Sequence, residues 1–325
     1  MTGVTGLARI MAILACPKCK SRIDCQTTAL WCATCERKFP LVKGIPVLVL
    51  DERSLFQARG FTSEVTTTLE GKVAGVRVFL RKVTPRISSN DVAANNYARF
   101  VRELKALTPA PRVLVIGGGI LGRGMDALFE REGLEVVETD VAFGPRTGLI
   151  CDAHDLPFTD AAFHGVIAQA VLEHVIDPQC CVAEMQRVLV PGGLVYAETP
   201  FMQQVHMGRY DFWRFTALGH RRLFRWFDEI DSGPVAGPGV ALAWAFKYFL
   251  LGFTTHRLLR LLLNSVAGFA GFAGKYFDRL YLMKRPGVYD AASGYYFMGR
   301  LIEAPVDDRT IVAGYRGACD SSIGI

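Results

Sequence analysis

The stretch VLVIGGGILGRG, residues 113–124, decides the fold. An aliphatic run enters three consecutive glycines, Gly117, Gly118 and Gly119, and passes into a helix-like segment. Without Cβ atoms this turn lets backbone approach a bound nucleotide closely. A ligand-free strand-to-helix turn has the same pattern, so the flanking sequence has to discriminate. LEVVETD, residues 134–140, is a second strand-like run and ends on Asp140, twenty-three residues after Gly117. That is close to the roughly 20-residue offset at which a carboxylate accepts the hydroxyl protons of a ribose.

Further along, HGVIAQA (164–170) and LVYAET (194–199) alternate with helix-like segments, the pattern of βα units feeding a mostly parallel sheet. The best-marked helix spans about residues 177–190 and is closed by Pro191, Gly192 and Gly193. At 325 residues the chain has room for a full-sized core and one or two small additions. Apolar residues make up 50% and charged residues 21%, which excludes a disordered chain and leaves apolar surface to be placed. The net charge of +6 is not gathered into one basic run, so a nucleic-acid partner is the weaker expectation.

Four of the nine cysteines form two pairs, Cys16-Pro-Lys-Cys19 and Cys32-Ala-Thr-Cys35, twelve residues apart. Two such knuckles bring four thiolates around one tetrahedral ion, and zinc is expected there. A disulfide framework is the weaker reading, and the short apolar run before Cys16 is read as part of the module rather than as a lipoprotein signal. Cys25 is expected to be spare, and Cys151, Cys180, Cys181 and Cys319 to be buried small residues. LVKGIPVLVL, residues 41–50, closes what reads as a small separate module.

Two resemblances rest on these motifs. CATCERKFPLVKGIPVLV, residues 32–49, resembles the zinc-ribbon activator subunits of tRNA and protein methyltransferases. The ordered series from the glycine turn and Asp140 through CDAHDLPF, VLEHV and RVLVPGG resembles the class I S-adenosylmethionine-dependent methyltransferases, particularly the ubiquinone and menaquinone branch. A dinucleotide-binding oxidoreductase shares the turn and the acid but leaves the later motifs unexplained. The resemblance implies an α/β Rossmann-like class I methyltransferase sheet with an N-terminal zinc ribbon and an apolar helical C-terminal insertion. It further implies that Gly117 and Gly119 line the methionine moiety, Asp140 and Val141 take the ribose, Asp152, Ala153 and His154 reach the adenine, and Gln169 and Ala170 close the pocket. Two departures stand out. Val115 occupies the place of the family's usual strand acid, and His164 follows Phe163 where the family has Asp.

The segment MQQVHMGRYDFWRFTALGHRRLF, residues 202–224, resembles the corresponding part of methyltransferases of glycan and lipid-linked sugar biosynthesis. Methyl transfer is an in-line displacement, so this side has to hold the acceptor and exclude water. His206 is the expected general base with Asp211 as orienter, and Tyr210 or Trp213 the aromatic facing the sulfonium. An ion pair and aromatics that merely lock a lid give the same pattern. Glu173 and His174 are expected to pack at the pocket edge. Arg221, Arg222 and Arg225 read as a solvated helix face or a phosphate site.

The expected domains are residues 1–55, the ribbon; 56–90, a connector with some helix; 91–232, the cofactor-binding core; and 233–325, an apolar helical segment followed by a strand and tail. Residues 240–275 are expected to touch a membrane surface or cover the core, in a cytoplasmic protein at the inner membrane face. The expected acceptor is a small molecule or lipid-linked sugar. An rRNA or tRNA base methyltransferase and a catalytically silent cofactor-binding subunit are the alternatives.

Overall fold

The computed structural model describes residues 3–60, 84–130 and 133–319. Its strands are β1 (Asp24–Cys25), β2 (Ala29–Cys32), β3 (Arg37–Val42), β4 (Ile45–Leu48), β5 (Arg112–Ile116), β6 (Glu135–Asp140), β7 (Leu149–Cys151), β8 (Phe163–Gln169), β9 (Leu189–Pro200), β10 (Phe227–Ala236) and β11 (Gly294–Leu301). They form one sheet in the order β1-β2-β3-β4-β7-β6-β5-β8-β9-β11-β10. Strands β4 to β9 pair in parallel, and β11 runs antiparallel between β9 and β10. This is the expected Rossmann-like α/β sheet. Val113, Leu114 and Val115 of β5 are fully buried, as a central parallel strand covered on both faces requires. From β5 the chain winds outward to β6 and β7, then returns to β8 on the other side. That reversal opens a crevice at the carboxyl ends of the strands.

Two expectations need correction. The ribbon is not a separate module: β4 joins the main sheet, with Val47 opposite Ile150 and Leu48 opposite Cys151. Ile23, Leu30 and Phe39 share one apolar cluster with Leu156, Phe158 and Phe163, and Lys20 Nζ reaches Glu184 at 2.8 Å. An isolated ribbon would leave β4 as an open edge with apolar residues on it, and pairing to β7 removes that edge. Ile10, Ile13 and Leu14, from the run before Cys16, pack into the same cluster.

The second correction concerns the helix expected over 177–190, which spans Pro178–Val188. Asp177 caps it, accepting from the N–H groups of Gln179 and Cys180. Pro191, Gly192 and Gly193 lie inside β9, where the register against β8 slips between Phe163 and Gly165; Gly192 takes φ +72 there, as such a bulge requires. Residues 61–83, most of the connector expected to hold some helix, lie outside the described residues; Arg53 and Leu55 at the end of the ribbon and Phe56 at the connector's start wall the main cavity.

Between β10 and β11 the chain inserts helices Pro238–Gly252, Arg257–Gly271 and Gly274–Leu280. Buried Asp278 caps the first of these, accepting from Gly239 N at 2.7 Å and Val240 N at 2.9 Å, where a carboxylate meets the positive end of the helix dipole. Gly239 and Gly274 pack backbone to backbone, since a Cβ on Gly239 would come within 2.3 Å of Gly274 O. Val240 and Ala243 face inward with Ile87 and Ala236. Leu242, Phe249, Phe253, Leu258, Phe269 and Phe277 stay exposed, so the insertion covers part of the core and leaves an apolar outer face. Among the described residues, no helix is long and apolar enough to cross a membrane.

Candidate active site

The main cavity, about 670 Å³, opens at the carboxyl ends of β5, β6 and β7. This lies within the usual range for small-molecule sites. Gly117, Gly119, Asp140, Val141, Asp152, Ala153, His154 and Ala170 all line it. Gly117 takes φ +71, and a Cβ there would strike Val171 Cγ2 at 2.5 Å. Gly119 donates its N–H to Asp140 Oδ2 at 2.9 Å, and a Cβ on Gly119 would fall 2.6 Å from that oxygen. The turn and the acid are therefore in direct contact. Ala142 N donates to Asp140 Oδ1 at 3.1 Å. Burial raises the Asp140 pKa, and these backbone donors only partly offset it.

Asp152 behaves differently. Burial acts to raise its pKa, but hydrogen bonds from His154 and Ser54 outweigh that and hold it below the usual value. His154 Nε2 accepts from Asp177 N at 3.1 Å, which leaves its Nδ1–H to donate to Asp152. Ala170 sits at φ +55, a conformation uncommon outside glycine, at the point where β8 enters the cavity wall. Gln169 does not line the cavity. Its amide donates to Glu198 Oε2 at 2.9 Å and Arg123 O at 3.1 Å, and its Oε1 lies where a Cβ on Gly122 would be, so it supports the glycine loop from beneath.

Of the two departures, Val115 is wholly buried and presents no charge to the cavity. His164 Nδ1 accepts from Arg112 N at 3.1 Å, a strand-edge role away from the cavity.

On the acceptor side the structure separates the expected residues. Tyr210 and His174 line the cavity, whereas His206, Asp211 and Trp213 do not. Tyr210 stacks on Phe56 with ring centres 5.8 Å apart, so the connector and the acceptor loop meet there. Asp211 is gripped by Arg214, which donates to Oδ2 at 2.8 Å and to the carbonyls of Gln203 and Gln204. Burial acts to raise the Asp211 pKa, but the Arg214 contacts drive it far below the ordinary carboxylate range. Trp213 Nε1 donates to Val175 O and Ile176 O, and the N–H groups of Phe212 and Trp213 donate to Glu173 O. The aromatic-rich segment thus clamps the loop after β8.

Glu173, expected with His174 at the pocket edge, lies behind the cavity wall. It is fully buried, burial pushes its pKa up to about 8, and neither carboxylate oxygen has a hydrogen-bond partner among the described residues. Its burial was not foreseen, because nothing local predicts burial of a loop acid. Burial also lowers the pKa of His174 and, against the attraction of Asp211, that of His206. Arg222 and Arg225 face Asp308 at 2.9 and 3.6 Å, and Arg221 faces Glu229 at 3.3 Å, so this helix face is committed to ion pairs within the chain.

The ribbon thiols Cys16, Cys19, Cys32 and Cys35 lie within 4.8 Å of one another, with Cys19 Sγ and Cys32 Sγ 3.6 Å apart. Tetrahedral zinc at about 2.3 Å from each sulfur sets neighbouring sulfurs about 3.8 Å apart, so the set fits. Lys20 (φ 58) and Glu36 (φ 52), each just after the second cysteine of a pair, give both knuckles the same left-handed exit. Contrary to expectation Cys319 is exposed, and Cys180 is half-buried on the cavity wall.

A family model described as methyltransferase domain matches residues 114–197. The demethylmenaquinone methyltransferase of Renibacterium salmoninarum is 31% identical over 147 residues, 40% of this chain and 61% of that relative. The chain thus spans less than two thirds of that relative's length. A UPF0434 protein of Mannheimia succiniciproducens is 40% identical over 47 residues, 14% of this chain and 77% of its own length. Among solved structures, the SpnF cyclase is similar at TM-score 0.41 and 18% identity, covering 70% of this chain and 92% of that one. The geranyl diphosphate C-methyltransferase of Streptomyces coelicolor A3(2) is similar at TM-score 0.41 and 13% identity, covering 64% and 76%.

Proposed function

The chain belongs with the UPF0434 proteins through 47 of its residues and carries a methyltransferase domain over residues 114–197, and on that premise we propose that it transfers a methyl group from S-adenosylmethionine to a small-molecule, glycan or lipid-linked acceptor. The observation that carries this reading is the contact of Gly119 with Asp140 at the ends of adjacent parallel strands, on the wall of a cavity that also holds Gly117 and Asp152. Asp140, whose Oδ2 meets Gly119 N and whose Oδ1 meets Ala142 N, accepts the ribose hydroxyls in this reading. Gly117 and Gly119 admit the methionine moiety, Asp152, Ala153 and His154 flank the adenine, and Ala170 closes the pocket. Zinc in the Cys16, Cys19, Cys32 and Cys35 set is structural in this reading, fixing the fold of the ribbon.

The acceptor lies toward His174 and Tyr210, with His206 and Asp211 behind them. Transfer breaks the carbon–sulfur bond as the acceptor bonds to the methyl carbon, and the chain's task is alignment and exclusion of water. A lipid-linked acceptor is favoured over RNA by a specific contact: Tyr248 of helix Pro238–Gly252 donates to Val205 O at 2.7 Å, tying the apolar insertion to the loop that carries His206. Residues 238–285 hold seven cations (Lys247, Arg257, Arg260, Lys275, Arg279, Lys284, Arg285) against one acid, Asp278, which is buried. An apolar outer face on a segment with this excess of cations suits an anionic membrane surface.

Calorimetric titration with S-adenosylmethionine tests the first step. The wild-type chain binds, and Asp140→Asn, which replaces an acceptor oxygen by an amide, weakens binding by at least about tenfold, the equivalent of one charged hydrogen bond. Equal affinities for the two proteins would remove the ribose role of Asp140, and no binding to the wild type would end the methyltransferase reading. Methyl-labelled cofactor offered with separated lipid, sugar and RNA fractions then identifies the acceptor class.

A further inference from the structure

Glu173 Oε1 lies 3.7 Å from His174 Nε2 and 3.9 Å from His206 Nε2, and the three ligand atoms lie within 4.8 Å of one another. These distances are too long for hydrogen bonds. They are a few tenths of an ångström above the roughly 3.4 Å edge of a tetrahedron whose metal bonds are about 2.1 Å. The far nitrogen of His174 fixes its tautomer. His174 Nδ1 faces the carbonyl of Tyr210 at 2.8 Å, and a carbonyl only accepts, so Nδ1 carries the proton. His206 Nδ1 faces Asp211 Oδ2 at 3.4 Å, and that carboxylate is held ionised by Arg214. The His174 Nε2 lone pair is therefore turned toward a buried carboxylate that has no hydrogen-bond partner among the described residues, and His206 Nε2 stands on the other side of the same oxygen.

We propose that Glu173, His174 and His206 bind a divalent transition metal ion of the zinc, iron or cobalt class. Two neutral imidazoles and one carboxylate are a ligand set such ions favour. The outer partners are also those a metal site uses, a carboxylate and a backbone carbonyl each holding one imidazole by its second nitrogen. A cation supplies counter-charge to the buried carboxylate beyond that of Arg214, whose guanidinium is hydrogen-bonded to Asp211. Glu173 and His174 follow β8 and His206 follows β9, so three ligands from two crossover loops meet at the switch-point crevice, and His174 places the ion against the cavity wall.

Where the methyl-transfer reading holds, the ion selects acceptors that present an oxygen ligand. Held by Glu173, His174 and His206, such an ion would lower the pKa of an acceptor hydroxyl beside the cavity, while the pair of the broken carbon–sulfur bond stays on sulfur. This extension rests on that reading, but the metal site does not.

Metal analysis of the purified full chain, after zinc loading and removal of excess, tests the site. The wild type holds two equivalents, one in the ribbon and one here. His206→Ala, in an exposed loop, leaves one. Cys19→Ser with Cys32→Ser also leaves one. In the cobalt-loaded forms the ribbon variant loses thiolate charge-transfer absorption and keeps the weaker visible bands, and His206→Ala does the reverse. Asp211→Asn weakens the second equivalent by about 10- to 100-fold without removing a ligand. A single equivalent in the wild type, or two retained in His206→Ala, overturns the proposal. A second equivalent in a chain that binds no S-adenosylmethionine would instead sink the methyl-transfer reading and leave this site standing.

Discussion

His220 shows how a single buried side chain sets a pH limit. It sits in helix Ala217–Leu223, 2% exposed, edge-on to Phe224 with ring centres 5.3 Å apart, and its Nε2 has no partner among the described residues. Burial pulls its pKa down to about 3, against about 6.5 in the unfolded chain. Between those values the unfolded chain takes up a proton that the folded chain refuses. Stability is therefore intact above about pH 6.5 and falls as the pH drops, by up to about 1.4 kcal/mol per unit from this group. His220→Phe, which keeps an aromatic ring against Phe215 and Phe224, should flatten the acid limb of a stability–pH curve measured by denaturant unfolding. An unchanged limb would show that other groups set it. The same scale explains what was legible at the cofactor end. Gly117, Gly119 and Asp140 announce themselves because glycine and a strand-end acid are chosen by local geometry. Glu173 does not, because only packing around the β8 loop decides that this acid is buried.

At the scale of elements, the apolar insertion is stabilised from within and unsatisfied outside. Asp278 caps helix Pro238–Gly252, Gly239 meets Gly274, and Val240 with Ala243 reaches Ile87. Phe249 and Phe253, 63% and 72% exposed, pack edge to face on one another, with ring centres 5.1 Å apart. Each ring buried in a lipid interface contributes roughly 1.5–3 kcal/mol, so replacing both should cost at least about a hundredfold in partitioning. Phe249→Glu with Phe253→Glu is expected to abolish co-sedimentation with vesicles containing anionic lipid while leaving S-adenosylmethionine affinity unchanged. Undiminished sedimentation would exclude this face as the contact. The sequence showed the apolar run and its interrupting cations, yet not which side they occupy, because three short helices can turn their apolar faces inward or outward with the same composition.

For the molecule as a whole, the ribbon and the cavity are one construction. β4 extends the sheet beside β7, Arg53 reaches Asp155 at 2.7 Å, Ser54 donates to Asp152, and Phe56 stacks on Tyr210. Stripping metal from the four thiols should therefore do more than unfold a small appendage. A chelator is expected to lower the melting temperature and weaken S-adenosylmethionine binding together, with zinc restoring both, since ligand and metal each favour the same folded state. Cys32→Ser should reproduce the loss although Cys32 touches nothing in the cavity. Unaltered cofactor affinity in a ribbon free of metal would show that the two parts fold independently.

Features that depend on neighbours along the chain were legible before folding: the alternation of strands and helices, the glycine turn with its acid, and the two thiol pairs. Which distant segments share a surface emerged only in the folded chain. The ribbon strand lies against β7, residues 53–56 roof the cavity, and His206 turns toward Glu173 rather than into the open pocket. The physical reason is that dihedral preferences and hydrophobic period act over a few residues, whereas edge pairing, burial and ion-sized gaps are set by free-energy terms between segments a hundred residues apart.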